Sequence, residues 1–73
     1  MEDEIRIEKD IEMFKENVKK IKQNEINSTQ KRTMDLANQY YEDSKYYLNK
    51  KDYFTAFGCI NYAHGLLDSI LKF

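Results

Sequence analysis

The chain of 73 residues contains no proline and only two glycines, Gly58 and Gly65. Tight turns between strands depend on these two residue types, so a multi-stranded sheet lacks the turns that it needs. A chain of this length forms one small domain, which excludes the large α/β and barrel enzyme folds. The sequence therefore predicts a single all-α domain over residues 1–73.

Apolar residues recur at helical spacing in three segments. In the first, about residues 2–24, they lie three and four positions apart and form a narrow stripe: Ile7, Ile11, Phe14, Val18 and Ile21. Asn27 followed by Gln30 fits a capping box at the start of a second helix over about 28–50. Asp52 then caps a third helix over about 53–72.

The second and third helices carry broader buried faces than the first. The residues predicted to be buried in the second helix are Thr33, Met34, Ala37, Tyr40, Tyr41, Ser44, Tyr47 and Leu48. Those in the third helix are Tyr53, Ala56, Phe57, Ile60, Ala63, His64, Leu67, Ile70 and Leu71. A short connection makes these two helices antiparallel neighbours. The sequence thus predicts an antiparallel three-helix up-down-up bundle, in which the first helix packs as the third member or swings out to another chain.

Composition narrows the classes of function. Lys and Arg number 12 against 13 Asp and Glu, so the formal charge of −1 gives no general attraction for nucleic acid or anionic membranes. With one cysteine and one histidine, the chain lacks the residues for an internal disulfide or a zinc site of Cys and His ligands. No apolar run reaches the roughly 20 residues of a membrane span. We therefore expect a cytoplasmic protein with no metal, no cofactor and no membrane contact.

The strongest candidates for contact with a partner lie on the third helix. Gly58 and Gly65 each lower helix stability by roughly 0.5–1 kcal/mol relative to alanine. They project away from the core on a stripe that includes or adjoins three other residues: Phe54, Tyr62 and Ser69. A shallow groove of this kind lets another helix approach closely. Tyr46 on the second helix also points outward, and exposed tyrosines are frequent at protein contacts. The alternative interpretation is that glycine is merely tolerated on a surface without a role.

Two single residues carry groups that could react. His64 is the single histidine, the side-chain type used most often for acid–base catalysis, and Asp68 lies one turn further along the same helix, so the two form a candidate catalytic or ligand-binding pair. In the structural interpretation, which we favour, His64 donates a hydrogen bond to Asp68 or to a tyrosine hydroxyl at the edge of the core. Cys59 has no basic neighbour in sequence and is interpreted as a small hydrophobe. We expect no catalytic residue in the chain.

Three runs resemble a known family: residues 37–48 (ANQYYEDSKYYL), 51–57 (KDYFTAF) and 60–68 (INYAHGLLD). They are similar to the archaeal domain-of-unknown-function family 357, over about residues 37–71. The run from Tyr62 to Asp68 is the most specific part, and His64, Gly65 and Asp68 match the family together there. The resemblance implies a small cytoplasmic helical protein of archaeal type, and it implies no activity.

The hairpin of the second and third helices has a fainter similarity to tetratricopeptide repeats. The residues that take the packing positions of that repeat are Tyr47, Tyr53, Ala56, Ile60 and Ala63. Lys51 stands where the repeat prefers glycine, and the chain has one hairpin where about three are needed. A likeness to the helical RNA-cleaving partners of nucleotidyltransferases fails, because neither Arg6 nor Arg32 is near His64 in sequence.

Three functions are compatible with these features, in order of preference. The first is a non-catalytic module that binds another protein or a second copy of itself through the stripe on the third helix. The second is a small ligand-binding or catalytic domain that uses His64 and Asp68. The third is RNA binding, which we rank last because only Lys45, Lys50 and Lys51 lie near the exposed tyrosines.

Overall fold

The computed structural model describes residues 2–71. Three helices, α1 (Glu2–Val18), α2 (Ser28–Asn49) and α3 (Tyr53–Leu71), form an up-down-up bundle, and a single 3-10 turn (Gln23–Glu25) lies between α1 and α2. No strand occurs within this part of the chain. The predicted all-α three-helix fold is confirmed, with α1 packed in its own bundle.

The two longest helices, α2 and α3, share the most extensive interface. Their small residues Ala37, Ser44, Ala56 and Ala63 are all 0% exposed. Within each helix the two small residues lie seven positions apart, which places them on one face. Small side chains on facing stripes let the helix axes approach closely, so α2 and α3 form a tight antiparallel hairpin.

α1 closes one side of this hairpin and runs parallel to α3. Its buried stripe is Ile7, Ile11 and Phe14. The Glu4 carboxylate accepts a hydrogen bond from the Tyr53 hydroxyl at 3.4 Å. Two turns later, the Asp10 carbonyl oxygen lies 2.7 Å from His64 Nε2. Because the contacts advance in the same order along both helices, the two helices share one direction.

α1 ends at Val18, earlier than the predicted end near residue 24. The N–H groups of Lys20 and Ile21 bond to the carbonyls of Asn17 and Val18, both at 3.0 Å. Such bonds to the third preceding residue tighten the backbone, as is common at the end of a helix. The turn leaves Ile21 half-buried against the core. Ile21 therefore packs against the core although it lies beyond the end of α1. The spacing of apolar residues does not distinguish this arrangement from a longer helix.

Both predicted helix starts carry the predicted caps. The Asn27 side chain accepts from the N–H of Gln30 at 2.8 Å, and the Gln30 side chain accepts from the N–H of Asn27 at 2.9 Å. This pair completes the capping box of α2. At the start of α3 the Asp52 side chain accepts from the N–H of Thr55 at 3.2 Å. The predicted end of α3 at Lys72 lies outside the described residues.

The turn between α2 and α3 is only three residues long. Lys51 has a φ of 64°, in the left-handed region. The N–H of Lys51 bonds to the carbonyl of Leu48 at 3.0 Å, and the N–H of Asp52 bonds to that of Tyr47 at 2.9 Å. These two bonds make a Schellman motif, in which glycine usually takes the left-handed position. Lysine holds that position here.

Candidate protein-interaction site

The five predicted interface residues on α3 all lie on its solvent side: Phe54, Gly58, Tyr62, Gly65 and Ser69. We name this set the α3 outer face. Residues three and four apart repeat on one side of a helix, which is why the set shares a surface. Phe54 is 91% exposed, more than any other large apolar side chain in residues 2–71, and Tyr62 is 52% exposed.

Open space surrounds both glycines of the α3 outer face. A Cβ added at Gly58 or at Gly65 meets no heavy atom within 4 Å. Neither glycine has a positive φ. No contact among residues 2–71 therefore requires glycine at these positions, although each glycine weakens the helix relative to alanine.

α3 is nearly free of charge. Asp68 is the only Asp, Glu, Lys or Arg among its 19 residues, whereas charged residues make up more than half of α1. The ring of Tyr62 meets Tyr40 of α2 edge-on, with centroids 4.7 Å apart, so this exposed ring is held in place. None of the helices in the described part of the chain, α3 included, is both long and apolar enough to cross a membrane.

A groove of about 250 Å³ opens between the first turns of α1 and α3. We name it the N-terminal groove, and its lining residues are Asp3, Arg6, Ile7, Tyr53, Phe54 and Phe57. The Arg6 guanidinium lies over the ring of Phe57, 5.3 Å from its centroid. Phe54 belongs to both this groove and the α3 outer face. This groove was not predicted from the sequence, because one wall comes from α1 and the other from α3, and the two helices lie side by side only in the folded bundle.

The sixth predicted interface residue, Tyr46, lies apart on α2. Its ring is 56% exposed and meets Tyr47 edge-on at 5.1 Å, and the Nζ of Lys50 lies 5.5 Å from its centroid. Tyr46 lines a separate groove between α1 and α2 together with Glu4 and Glu8. The structure therefore does not bring Tyr46 together with the α3 outer face.

His64 is half-buried between α1 and α3. Its Nε2 lies 2.7 Å from the carbonyl oxygen of Asp10, and because a carbonyl only accepts, Nε2 is the donor. Its ring meets Phe14 edge-on, with centroids 5.7 Å apart. The predicted partner, Asp68 or a tyrosine hydroxyl, is wrong, because Asp68 is exposed while the α1 backbone lies directly against the imidazole. His64 thus joins two helices and forms no hydrogen-bonded pair with Asp68.

Cys59 is half-buried on α3. Burial raises the pKa of its thiol, and the carboxylates of Asp43 and Asp52 raise that pKa further. A thiol with a raised pKa stays protonated and is a poor nucleophile. Within residues 2–71, no three His, Cys, Asp or Glu side chains come together as ligands for a metal ion.

A protein-family comparison covers most of this chain. The family is described as Protein of unknown function (DUF357), and its sequence model matches residues 9–73. The match includes about half of α1 and all of α2 and α3, so it reaches well beyond the run from Tyr62 to Asp68. Comparison with curated proteins gives no match. Because the family match extends over far more than half of the sequence, the chain belongs to the DUF357 family.

Proposed function

We propose that this protein is a non-catalytic interaction module that docks another protein chain through the α3 outer face. The observation that carries the proposal is the side chain of Phe54, which is 91% exposed in the first turn of α3. Removing such a side chain from water is favourable by roughly 1.5–3 kcal/mol. A buried aromatic anchor of this kind dominates the energy of many protein interfaces.

The chemistry around Phe54 supports the same function. Interface cores are depleted in charge and enriched in aromatic residues relative to the rest of a protein surface. The α3 outer face presents two exposed aromatic rings, Phe54 and Tyr62. Asp68 is the only Asp, Glu, Lys or Arg on α3. Single exposed apolar residues are ordinary. Here the exposed ring adjoins a groove of about 250 Å³, so the surface offers both a protrusion and a concavity.

Structural roles for the reactive side chains support the non-catalytic part of the proposal. His64 Nε2 donates to the Asp10 carbonyl, and the imidazole packs against Phe14. Burial and nearby carboxylates raise the pKa of the Cys59 thiol.

The resemblance to an archaeal family and the use of a single cysteine favour a cytoplasmic location for the module.

Affinity purification with quantitative mass spectrometry tests the proposal. Weak complexes of the tagged protein are fixed by chemical crosslinking before purification. The tagged protein is compared with its Phe54→Asp variant and with Ile5→Asp as a matched control, since Ile5 is 54% exposed on α1, outside the α3 outer face and the N-terminal groove. We expect the chains recovered with the parent protein, including untagged copies of itself, to fall at least about tenfold for Phe54→Asp, which is the loss of one anchor. Ile5→Asp should leave recovery unchanged, and circular dichroism should show that both variants stay folded.

Equal recovery with all three proteins contradicts the proposal, because binding then does not involve the α3 outer face. A turnover of substrate that depends on His64 and is unaffected by Phe54→Asp contradicts the non-catalytic part.

A further inference from the structure

We propose that the chain docked at this surface is a second copy of the protein, and that each copy inserts Phe54 into the N-terminal groove of the other. This inference rests on the proposed function and names the partner. Phe54 and the groove adjoin on the same copy. A two-fold axis beside them therefore brings each ring to the opposite groove in one contact, which is how isologous dimers pair their surfaces.

The groove suits a phenyl ring in size and in chemistry. Its volume is about 250 Å³, and an apolar cavity of about 150 Å³ already accepts benzene. Ile7, which is 2% exposed, lies at its base, and Tyr53 and Phe57 supply aromatic surface. Aromatic rings pair favourably in edge-on or offset arrangements. The partner's Phe54 thus meets the class of side chain that its ring prefers.

The two charges that line the groove are complementary to those of a second copy. Asp3 and Arg6 both line the groove, one negative and one positive, three residues apart on α1. In a two-fold dimer every contact occurs twice: if residue i of the first copy meets residue j of the second, residue j of the first also meets residue i of the second. Asp3 of one copy then faces Arg6 of the other, and the reverse pair forms on the other side of the axis. A partner with a strongly charged surface of one sign leaves one of these two groups opposite a like charge.

The dimer is expected to be weak. One ring and one groove per copy bury less than the roughly 800 Å² per partner of a standard interface. We therefore expect a dissociation constant between about 10 µM and 1 mM, the range of small and transient contacts.

Sedimentation equilibrium up to about 1 mM protein measures this association. We expect the parent protein to dimerise reversibly, the Phe54→Asp variant to dimerise at least about tenfold more weakly, and the Ile5→Asp control to match the parent protein. Because the Phe54 side chain is 91% exposed, its replacement should leave the thermal unfolding transition in place.

A mixing experiment tests the reciprocal contact separately. Asp3→Arg makes the rim doubly positive, and Arg6→Asp makes it doubly negative. Each variant alone should dimerise more weakly than the parent protein, because like charges then meet across the axis. A one-to-one mixture at about 1 mM total protein should form the heterodimer, seen in sedimentation equilibrium as stronger association than either variant shows alone, since every charge then faces its opposite.

The outcomes separate the two proposals. A parent protein that stays monomeric at about 1 mM overturns this inference. If Phe54→Asp nevertheless reduces the recovery of a different co-purified chain, the proposed function stands without the dimer. Dimers that withstand Phe54→Asp, or a mixture that forms no heterodimer, overturn the reciprocal insertion. Dimers lost with Phe54→Asp and restored by mixing the two charge variants support both proposals.

Discussion

Gly58 and Gly65 lower the stability of α3 without any steric need. Alanine at either position meets no heavy atom within 4 Å of its Cβ. We expect Gly58→Ala and Gly65→Ala each to raise the free energy of unfolding by about 0.5–1 kcal/mol, measured by urea denaturation. Ser69→Ala, on the same face, is the control and should raise the free energy of unfolding by less than either glycine substitution, since serine forms helix better than glycine. A loss of stability at both glycines would contradict the exposed placement of this face.

The thiol of Cys59 should react slowly in the folded protein. Burial and the carboxylates of Asp43 and Asp52 raise its pKa. The folded state therefore holds the thiol proton to higher pH than the unfolded state, and the thiolate that attacks an alkylating reagent is scarcer. Iodoacetamide labelling at about pH 8, near the ordinary pKa of a thiol, should be slower for the native protein than for the urea-unfolded chain.

The same difference in pKa sets the direction of a pH effect on stability. The folded state keeps the thiol proton at pH values where the unfolded chain has released it. The free energy of unfolding therefore declines as the pH rises from the ordinary pKa of a thiol to the raised pKa of Cys59. A Cys59→Ser variant should lack this decline. Native labelling as fast as that of the unfolded chain would show that the thiol is not shielded.

His64 shows where inference from single residues fails. The sequence places Asp68 one turn away, yet the imidazole bonds to the backbone of Asp10, 54 positions distant in sequence. A backbone carbonyl carries no sequence signal, since every residue has one. The exposure of Phe54 and Tyr62 did follow from helical spacing, because it depends only on the face of α3 on which each lies.

Lys51 occupies a backbone conformation that favours glycine. Its φ of 64° strains any residue that has a Cβ by roughly 1–2 kcal/mol. Glycine removes this strain, but its greater freedom in the unfolded chain offsets part of the gain. We expect Lys51→Gly to raise the free energy of unfolding by about 0.5–1 kcal/mol, measured by thermal and urea unfolding.

Lys50 provides the matched control for that substitution. Its φ of −80° and ψ of −3° are right-handed, so glycine has no strain to relieve there. Lys50→Gly should leave stability unchanged or lower it. Equal gains at both positions would mean that the effect comes from lost charge rather than from backbone conformation.

The starts of α2 and α3, which carry capping side chains, were predicted closely, whereas the end of α1, which carries none, was not. Asn27, Gln30 and Asp52 mark the starts of α2 and α3, because their side chains satisfy free backbone N–H groups. The end of α1 at Val18 has no glycine or proline beside it. That end is set by the need to reverse the chain towards α2, which is a tertiary requirement.

Phe14 links all three helices of the molecule. The side chain is 1% exposed, stacks on Tyr41 of α2 at 4.8 Å and meets His64 of α3 at 5.7 Å. We expect Phe14→Ala to lower the free energy of unfolding by about 3–5 kcal/mol. A domain of this size has about 4–11 kcal/mol in total. Circular dichroism during urea unfolding should therefore show a transition shifted far towards lower urea.

Met13 is the adjacent control for this loss. It is 53% exposed on the same helix, so Met13→Ala should change stability by less than about 1 kcal/mol. A small effect of Phe14→Ala would mean that α1 contributes little to the fold. The family match, which begins within α1, agrees with α1 being part of the folded unit.

The assembled molecule also explains why only part of the candidate site could be predicted. The α3 outer face lies within one helix and follows from its periodicity. The N-terminal groove joins Asp3 and Arg6 to Phe57, about 50 positions away, and exists only because α1 lies beside α3. Pairing of helices is decided by how their side chains interlock, which a single periodic pattern does not specify.

The shared direction of α1 and α3 has a mechanical consequence. Residue 2 lies near the start of α3 and residue 71 at its end, so about 27 Å of helix separates them, and joining them in a circular permutant takes a linker of roughly 8 residues or more. A load applied between those ends slides α1 lengthwise against α3 instead of peeling it away. Ile7, Ile11 and Phe14 then resist the pull together rather than one after another.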